Sequence, residues 1–500
     1  MRPSLVLAAA LGALLVRADL ASISAADDPI AETTAQQHGL TRPWFSQVQM
    51  DRARSRVHDL ILHDGILYVQ TDRAMIHAID AETGRSLWAR MIGRPEHPSM
   101  TPGIGDDLMA VVNGSRLYVV NRYTGDLLYE TEVEGAPGAG PAVSRKRAYV
   151  PMVNGMIMAY RIEPLTDPLK ELGKLGKPEA EMTEEEKKAA EEERRQDIRV
   201  RQDYVPPMAC HSAGRALVQP VVTMQNADEE FAAWTTDRGY LNVGRIDRRM
   251  EDKLLIKYRL LTGAPIEAQP TYLPPNPKMP DDVGTIFAGS RDGYVYALVE
   301  RSGEQLWKFS AGEPILEPPA VIEQRVFVCT QLSGMFCLDA KNGRQQWWAP
   351  EIVRFLAAGK LRVYAADRRG RIVTLDAKTG TRLDVLPYEG WSLKLTNTDT
   401  DRIYVGTDTG LVQCLREIDQ VQPIPYGESR KLPKEKETPK ALPKYKLQKE
   451  DRDMPKEKAA PKTAKAKAPA KAAAPKAGAK KKGKKDDADA GNNPLVAPVK

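Results

Sequence analysis

The chain of 500 residues is 42% hydrophobic and 28% charged, which is enough apolar material for a large globular body. Its net charge of +6 is unevenly distributed, because residues 421–500 contain 22 Lys and Arg against 10 Asp and Glu. This segment therefore carries +12 and the rest of the chain −6. After an N-terminal apolar run, no stretch is long and apolar enough for a transmembrane helix, which excludes a polytopic helical membrane protein.

Residues 1–26 have the pattern of a secretory signal peptide. Arg2 precedes an apolar run from residue 5 to residue 16, and small residues at 22–26 provide a cleavage site. The apolar run is too short to span a bilayer. A buried N-terminal helix is the alternative. The pattern predicts an exported protein, located in the periplasm, the cell envelope or outside the cell, with residues 27–43 as a linker before the folded body.

A repeated stretch, seen best at residues 78–88, organises most of the remaining sequence. Asp80 can accept hydrogen bonds from backbone N–H groups two and three residues further on, and Gly84 can adopt the positive φ that the turn needs. Related stretches return about every 40 residues, the period of four-stranded propeller blades. The β-branched and aromatic runs beside them exclude a helical solenoid. The eight copies lie at residues 67–88, 108–129, 148–161, 231–246, 286–307, 326–347, 363–384 and 403–417.

Proline residues mark the innermost strands of five repeats. Each of these prolines opens a short apolar run just before the signature of its repeat, and proline is tolerated at the first residue of a strand or at a sheet edge. The inner strand of a blade is such an edge, because it lines the central channel. The prolines are Pro102, Pro141, Pro220, Pro270 and Pro319.

The two ends of the repeat region predict how the ring closes. The eighth repeat ends near Glu417 without an outer strand, whereas residues 44–50 resemble the outer strand at residues 86–91. The N-terminal strand can therefore complete the eighth blade and remove the last open seam. The predicted fold is all-β: one eight-bladed β-propeller of four-stranded antiparallel blades over residues 44–417.

A charged insertion interrupts the third repeat at residues 162–202. Thr183 and Glu186 fit a capping box, and Glu precedes Lys at helical spacing, but there is almost no apolar stripe with which a helix could dock. We predict a solvent-exposed helix that projects from the face opposite the glycine turns of the repeat.

The C-terminal segment, residues 418–500, is predicted to be a disordered basic tail. It is rich in Lys, Pro and Ala and lacks apolar periodicity, so it cannot offset the entropy of ordering. Such positive segments bind nucleic acid, anionic lipid or acidic cell-wall polymer through counterion release. A simple solvated tail is the alternative.

The signature Ala-x-Asp-x-x-Thr-Gly-x-x-x-Trp resembles the tryptophan-docking repeat of the pyrroloquinoline-quinone (PQQ)-like β-propeller family. It is complete at residues 78–88 and close at 297–307 and 337–347, while Tyr129 and Asp384 replace Trp in two degraded copies. In a blade, the indole is expected to dock against the neighbouring blade rather than bind a ligand. The family contains quinoprotein dehydrogenases that hold PQQ and calcium, and also non-enzymatic members such as the BamB-like outer-membrane assembly propellers.

The residues expected of a quinoprotein dehydrogenase are mostly missing. The resemblance implies an adjacent Cys-Cys pair and converging Glu, Asn and Asp ligands, but no two cysteines are adjacent. Cys337 and Cys414 occupy positions that are Ala in other repeats and are predicted to be small core residues. A cross-strand disulfide between Cys329 and Cys337 is the alternative. The six histidines show no metal-binding spacing.

These absences favour a non-catalytic, exported, monomeric propeller that binds an envelope protein partner or acts as a scaffold. No cofactor is predicted, but PQQ and calcium stay open. The alternatives are a PQQ-dependent dehydrogenase-like quinoprotein and a polymer- or sugar-binding propeller.

Five arginines in or beside equivalent hairpin turns are predicted to share one face of the ring. An acidic residue is the immediate neighbour of most of them, so compensated surface pairs are one interpretation. The other is a docking face for an anionic partner. The partner-facing candidates are Arg73, Arg238, Arg291, Arg368 and Arg371.

Overall fold

A computed structural model describes residues 28–162, 207–225, 229–247, 253–279, 282–387 and 390–427. All of them lie in the first of the two units into which the chain divides, residues 1–440. The predicted signal peptide, the body of the charged insertion and the basic tail beyond Gly427 lie outside the described residues. In the described ranges, no helix has the length and apolar character needed to cross a membrane.

The described chain begins with one short helix, α1 (Glu32–Gln37), and strand β1 (Leu40–Gln47). Thirty-one further strands follow, and together with β1 they form eight four-stranded antiparallel sheets, the blades of a propeller. The eight-bladed fold predicted from the repeat is confirmed.

The first four blades follow one another along the chain. Blade 1 contains β2 (Val57–His63), β3 (Ile66–Thr71), β4 (Met75–Asp80) and β5 (Ser86–Met91). Blade 2 contains β6 (Gly103–Ile104), β7 (Leu108–Asn113), β8 (Arg116–Asn121) and β9 (Leu127–Glu132). Blade 3 contains β10 (Ala142–Val143), β11 (Arg147–Pro151), β12 (Met156–Arg161) and β13 (Met208–His211). Blade 4 contains β14 (Val221–Gln225), β15 (Glu229–Thr235), β16 (Tyr240–Asp247) and β17 (Lys253–Leu261).

The second half of the ring repeats this arrangement. Blade 5 contains β18 (Thr271–Leu273), β19 (Thr285–Gly289), β20 (Tyr294–Val299) and β21 (Gln305–Ser310). Blade 6 contains β22 (Ala320–Ile322), β23 (Arg325–Cys329), β24 (Met335–Asp339) and β25 (Gln345–Ala349). Blade 7 contains β26 (Ile352–Ala358), β27 (Arg362–Asp367), β28 (Ile372–Asp376) and β29 (Arg382–Leu386). Blade 8 contains β30 (Leu393–Lys394), β31 (Ile403–Gly406), β32 (Leu411–Glu417) and β1.

The five prolines stand where the inner strands begin. Each directly precedes the first strand of its blade, namely β6, β10, β14, β18 and β22. A proline at this point removes no ladder hydrogen bond. The five inner strands predicted from the prolines are therefore confirmed.

The apolar core lies between neighbouring blades. Strands β3 and β7 are buried along their whole length, whereas the outer strand β5 buries only Trp88. One apolar cluster combines Leu67 and Val69 of blade 1 with Tyr404 and Val412 of blade 8. Each blade therefore buries both of its faces, as a radial arrangement requires.

The N-terminal strand closes the ring as predicted. Strand β1 pairs with β32, and Trp44 faces Cys414 in the same register in which Trp88 faces Ala78 in blade 1. The strand begins at Leu40, a few residues before the predicted start. The described chain also continues past Glu417, since the Tyr426 hydroxyl donates a 2.5 Å hydrogen bond to the Ala358 carbonyl.

Aromatic side chains of the outer strands join neighbouring blades. In three pairs, an indole Nε1 donates to a carbonyl oxygen in a turn of the next blade. The donors and acceptors are Trp44 and Ala81 at 2.9 Å, Trp307 and Ala340 at 3.0 Å, and Trp347 and Ala377 at 3.1 Å. In blade 4, the Tyr258 hydroxyl donates to the Glu300 carbonyl at 2.7 Å. The docking role predicted for the tryptophans is confirmed.

Candidate partner-docking face

One face of the ring carries the turns between the second and third strands of every blade. Since the strands are antiparallel, these turns emerge beside the connections that lead from one blade to the next. We call this surface the hairpin face; it includes residues 72–74, 236–239, 290–293, 330–334 and 367–371. Gly293 and Gly370 adopt φ values of 83° and 81°, a conformation that favours glycine.

The structure distributes the five predicted arginines around this face. Arg73 lies in blade 1, Arg238 in blade 4, Arg291 in blade 5, and Arg368 and Arg371 in one turn of blade 7. The arginines therefore share the hairpin face, but only Arg368 and Arg371 are brought into the same turn.

The neighbouring acids mostly brace loops and do not neutralise the adjacent arginine. The Asp72 carboxylate accepts hydrogen bonds from the Ser55 hydroxyl and the Arg56 amide, both at 2.9 Å. The Asp237 carboxylate pairs with Arg215 at 2.7 Å. Partial burial raises the pKa of Asp237, but the hydrogen bonds and the charge of Arg215 outweigh this effect and hold that pKa below its usual value.

Only two of the five arginines form ion pairs with described residues. Arg371 pairs with Asp367 at 2.6 Å, and Arg291 pairs with Glu267 at 2.9 Å. The exposed Arg73 and Arg368 instead donate to backbone carbonyls, for example from Arg368 Nε to the Gln331 carbonyl at 3.0 Å. Compensation thus comes from Asp367, four residues before Arg371, and from Glu267 in another turn, and Arg368 forms no ion pair with the described residues.

A cavity of about 570 Å³ opens between blades 6, 7 and 8 beside Arg368. Arg354 of β26 and Lys394 of β30 line it, and Arg354 pairs with Glu317 at 2.6 Å and donates to the Lys394 carbonyl at 3.1 Å. Burial, together with the nearby charge of Arg354, lowers the pKa of Lys394. The lining thus contains three positive side chains, Arg354, Arg368 and Lys394, and two negative ones, Glu317 and Asp367, and Asp367 pairs with Arg371 outside the lining.

The sequence reasoning missed Arg354 and Lys394. Both lie on inner strands, β26 and β30, which none of the five prolines marks, so the sequence pattern gave no signal that these charges belong to the innermost strands.

An exposed apolar patch borders this cavity. The Leu332 side chain is 68% exposed and Trp348 is 48% exposed. The Trp348 indole donates to the Ser333 carbonyl at 2.7 Å, and the Arg368 guanidinium donates to the Leu332 carbonyl. The side chains of Trp348 and Arg368 are therefore both bonded to the turn at residues 330–334. Glu313 braces that turn by accepting a hydrogen bond from the Leu332 amide at 2.9 Å. We call Leu332, Trp348 and Arg368 the docking patch.

The four cysteines are buried and unpaired. Cys329 faces Met335 and Cys337 faces Phe327 across the β23–β24 ladder, so the two thiols are not opposite one another, and the alternative of a disulfide between them is wrong. Cys337 and Cys414 are 0% and 1% exposed, which confirms their assignment to the core.

Comparison with known proteins agrees with the fold and its repeat. The model of a family described as outer membrane protein assembly factor BamB matches residues 72–165 and 274–388. A quinoprotein ethanol dehydrogenase from Pseudomonas aeruginosa is 31% identical over 99 residues, which cover 19% of this chain and 16% of that protein. The chain thus spans less than a fifth of the length of this curated relative.

Two solved structures are similar at low identity. BamB from Moraxella catarrhalis is 12% identical over 75% of this chain and 98% of that chain, with a TM-score of 0.49. A quinohemoprotein alcohol dehydrogenase from Pseudomonas putida is 11% identical over 76% of each chain, with a TM-score of 0.48. The protein is a β-propeller built from tryptophan-docking repeats. Its resemblance to the PQQ-like propeller family is confirmed by the family-model match.

Proposed function

We propose that this protein is an exported, non-catalytic propeller that binds a protein partner in the cell envelope through the docking patch. The BamB-like family match supports a protein-interaction module in general. The observation that carries the specific proposal is that Leu332 and Arg368 line a cavity on the hairpin face and that the exposed Trp348 donates to the Ser333 carbonyl in the same turn as Leu332.

The chemistry of the patch resembles that of binding hot spots. Tryptophan and arginine are enriched in such spots, particularly where a pocket can be desolvated by the partner. The charges of Arg368 and Lys394 favour a partner that presents a carboxylate, and Leu332 and Trp348 offer apolar surface beside it. The partner we propose is therefore an acidic and apolar protein segment.

Export is proposed from the sequence pattern at residues 1–26, which lie outside the described residues. The family description, an outer membrane assembly factor, supports an envelope location. From the sequence pattern we also propose that the insertion at residues 162–202 and the basic tail are separate segments attached to the propeller. The tail is proposed to bind anionic polymers or membrane surfaces.

The described residues do not fit the calcium ion of a quinoprotein dehydrogenase. Among them, no group of three His, Cys, Asp or Glu side chains is arranged to hold a metal ion. The full sequence also lacks the adjacent cysteines. We therefore derive no chemical step through PQQ, and dye-linked alcohol oxidation after addition of PQQ and calcium would contradict the non-catalytic proposal.

Site-specific photocrosslinking tests the docking patch. A photoreactive residue at Leu332 should form an adduct with a protein partner in intact cells, because Leu332 lies in the patch. Leu361, at 67% exposure, is a matched control in the β26–β27 turn, which points to the opposite face. Equal adducts at both positions would contradict the proposal.

Charge reversal gives an independent test. Arg368→Glu should abolish the Leu332 adduct, whereas Arg382→Glu, on the outer strand β29, should leave it unchanged. Persistence of the adduct in Arg368→Glu would show that the partner does not use this charge.

A further inference from the structure

A second, larger cavity lies on the face opposite the hairpin face. It has a volume of about 1380 Å³ and is lined by turns between the first and second strands of several blades, by the end of β18, and by residues 274–277 and 282–284 of the β18–β19 connection. Seven carboxylate side chains and three arginines line it among the described residues. Two of the acids, Asp64 and Asp106, pair with Arg122 and Arg145 at 3.0 and 2.8 Å. With seven acids against three arginines, the described lining is acidic overall.

Glu300 is the unusual member of this lining. It is 2% exposed, and its Oε1 atom has no hydrogen-bond partner among the described residues. Its Oε2 accepts a hydrogen bond of 3.3 Å from the Tyr272 hydroxyl. The Thr223 hydroxyl lies 3.5 Å from the Phe231 carbonyl and is also a hydrogen-bonding neighbour of the Glu300 carboxylate, whose pKa it lowers against the larger effect of burial. Burying a carboxylate with an unmade hydrogen bond costs free energy, so its retention calls for an explanation.

Blade geometry does not require a carboxylate at this position. Glu300 occupies the place of Ala81, Ala340 and Ala377 in the other repeats, where only the backbone carbonyl is used for docking. The Glu300 carbonyl fulfils the same role by accepting from Tyr258. The side chain is therefore additional to the repeat.

The surroundings are shaped to keep this carboxylate in place. A Cβ atom at Gly284 would lie 2.8 Å from Glu300 Oε2 and 2.9 Å from the Tyr272 hydroxyl oxygen, so a larger residue at this position would displace the pair from its present geometry. Burial raises the pKa of Glu300, which the nearby hydroxyls and the charges of Arg301 and Lys257 only partly oppose. A cation that enters the cavity would supply the missing partner.

We infer that this cavity binds a lysine side chain on an extended peptide segment of a partner protein, with Glu300 as the counter-charge. An ammonium group offers three donors, which suit one carboxylate oxygen and neighbouring acceptors. A metal ion is disfavoured because no three potential ligands are grouped among the described residues. The cavity exceeds the usual size of a small-molecule site, and the apolar walls of Tyr272, Leu273 and Val321 suit the methylene stem of lysine.

Binding of a labelled Gly-Lys-Pro-Lys-Gly peptide to the full chain, followed by fluorescence anisotropy, tests this site. Glu300→Gln should weaken binding by about tenfold or more, as expected when a charged hydrogen bond is lost. Glu304→Gln, an exposed change in the same turn, should leave affinity within about twofold. The same peptide with acetylated lysines should not bind. Wild-type affinity in Glu300→Gln, or equal binding of the acetylated peptide, would overturn the assignment.

Thermal unfolding separates binding from folding. Because Glu300→Gln removes a desolvated charge, its melting temperature should equal or exceed that of the wild type. Loss of binding together with a marked fall in melting temperature would instead make Glu300 a structural residue. The docking patch is untouched by this variant, so the Leu332 adduct reports on the other proposal separately.

Discussion

The indole Nε1 of Trp88 donates a 3.0 Å hydrogen bond to the carbonyl oxygen of Arg122 in the next blade. The same indole covers Gly125, where a Cβ atom would lie 2.6 Å from the ring and where φ is 70°. The signature glycine therefore serves both the turn and the docking of the preceding blade, which explains why Gly and Trp return together in the sequence.

Trp88→Ala should destabilise the propeller by about 3–5 kcal/mol, since a large buried side chain and a hydrogen bond are lost. Leu87→Ala is the matched control, because Leu87 precedes it on the same strand and is 38% exposed; its cost should stay below about 1 kcal/mol. Chemical denaturation of both variants measures the difference. Similar midpoints would mean that the indole contributes little to the joint between blades.

Arg402→Leu should also destabilise the ring strongly. Its guanidinium is fully buried and pairs with Glu82 of blade 1 at 3.2 Å and with the buried Asp401 at 3.3 Å. Removing it leaves the Asp401 carboxylate without its cation, which typically costs about 3–5 kcal/mol. Arg90→Leu removes an exposed pair of 3.7 Å and should cost less than about 1 kcal/mol. A comparable loss in the two variants, measured by thermal melting, would contradict this account of the seam.

The four cysteines should be unreactive in the folded protein. Burial raises the pKa of both Cys329 and Cys337 to about 12, and it also raises the pKa of Cys210 and Cys414. At pH 8, below the pKa of all four thiols, little thiolate is present, and the thiolate is the reactive form. Maleimide labelling followed by mass spectrometry should therefore find no modification under native conditions and four modified thiols in guanidinium. Rapid labelling before unfolding would show that the thiols are accessible.

We further predict that the basic tail, and not the ring, dominates binding to anionic polymers. Residues 421–427 carry no charge, so a protein that ends at Gly427 loses the whole +12 while keeping the contact of Tyr426 with Ala358. It should lose salt-sensitive binding to DNA or anionic vesicles, because counterion release drives such binding. The control is a full-length triple variant that combines Arg291→Ala, Arg368→Ala and Arg371→Ala, and it should keep this binding. If the shortened protein binds as tightly as the full chain, and the triple variant does not, the hairpin face is the anionic site.

The sequence alone determined the repeat architecture of this protein. The signature at residues 78–88, the prolines before the inner strands and the missing outer strand after Glu417 are local patterns, and each blade is a local hairpin unit whose turns depend on a few residues. The number of blades and the closing strand β1 could therefore be predicted before the structure. Tyr258 was missed as a docking residue because it departs from the tryptophan of the signature.

Only the tertiary structure decided which charges are neutralised and where they converge. Asp237 lies beside Arg238 in the chain but pairs with Arg215, and Arg354 meets Glu317 from another blade, because these contacts depend on how neighbouring blades pack. Glu300 is enclosed by Tyr272 and Gly284 of its own blade, which lie on other segments of the chain, so its burial is likewise not visible from its sequence neighbours. Periodicity predicts which residues face a core, but contacts across a blade interface depend on the relative position of two sheets, and no local pattern encodes it.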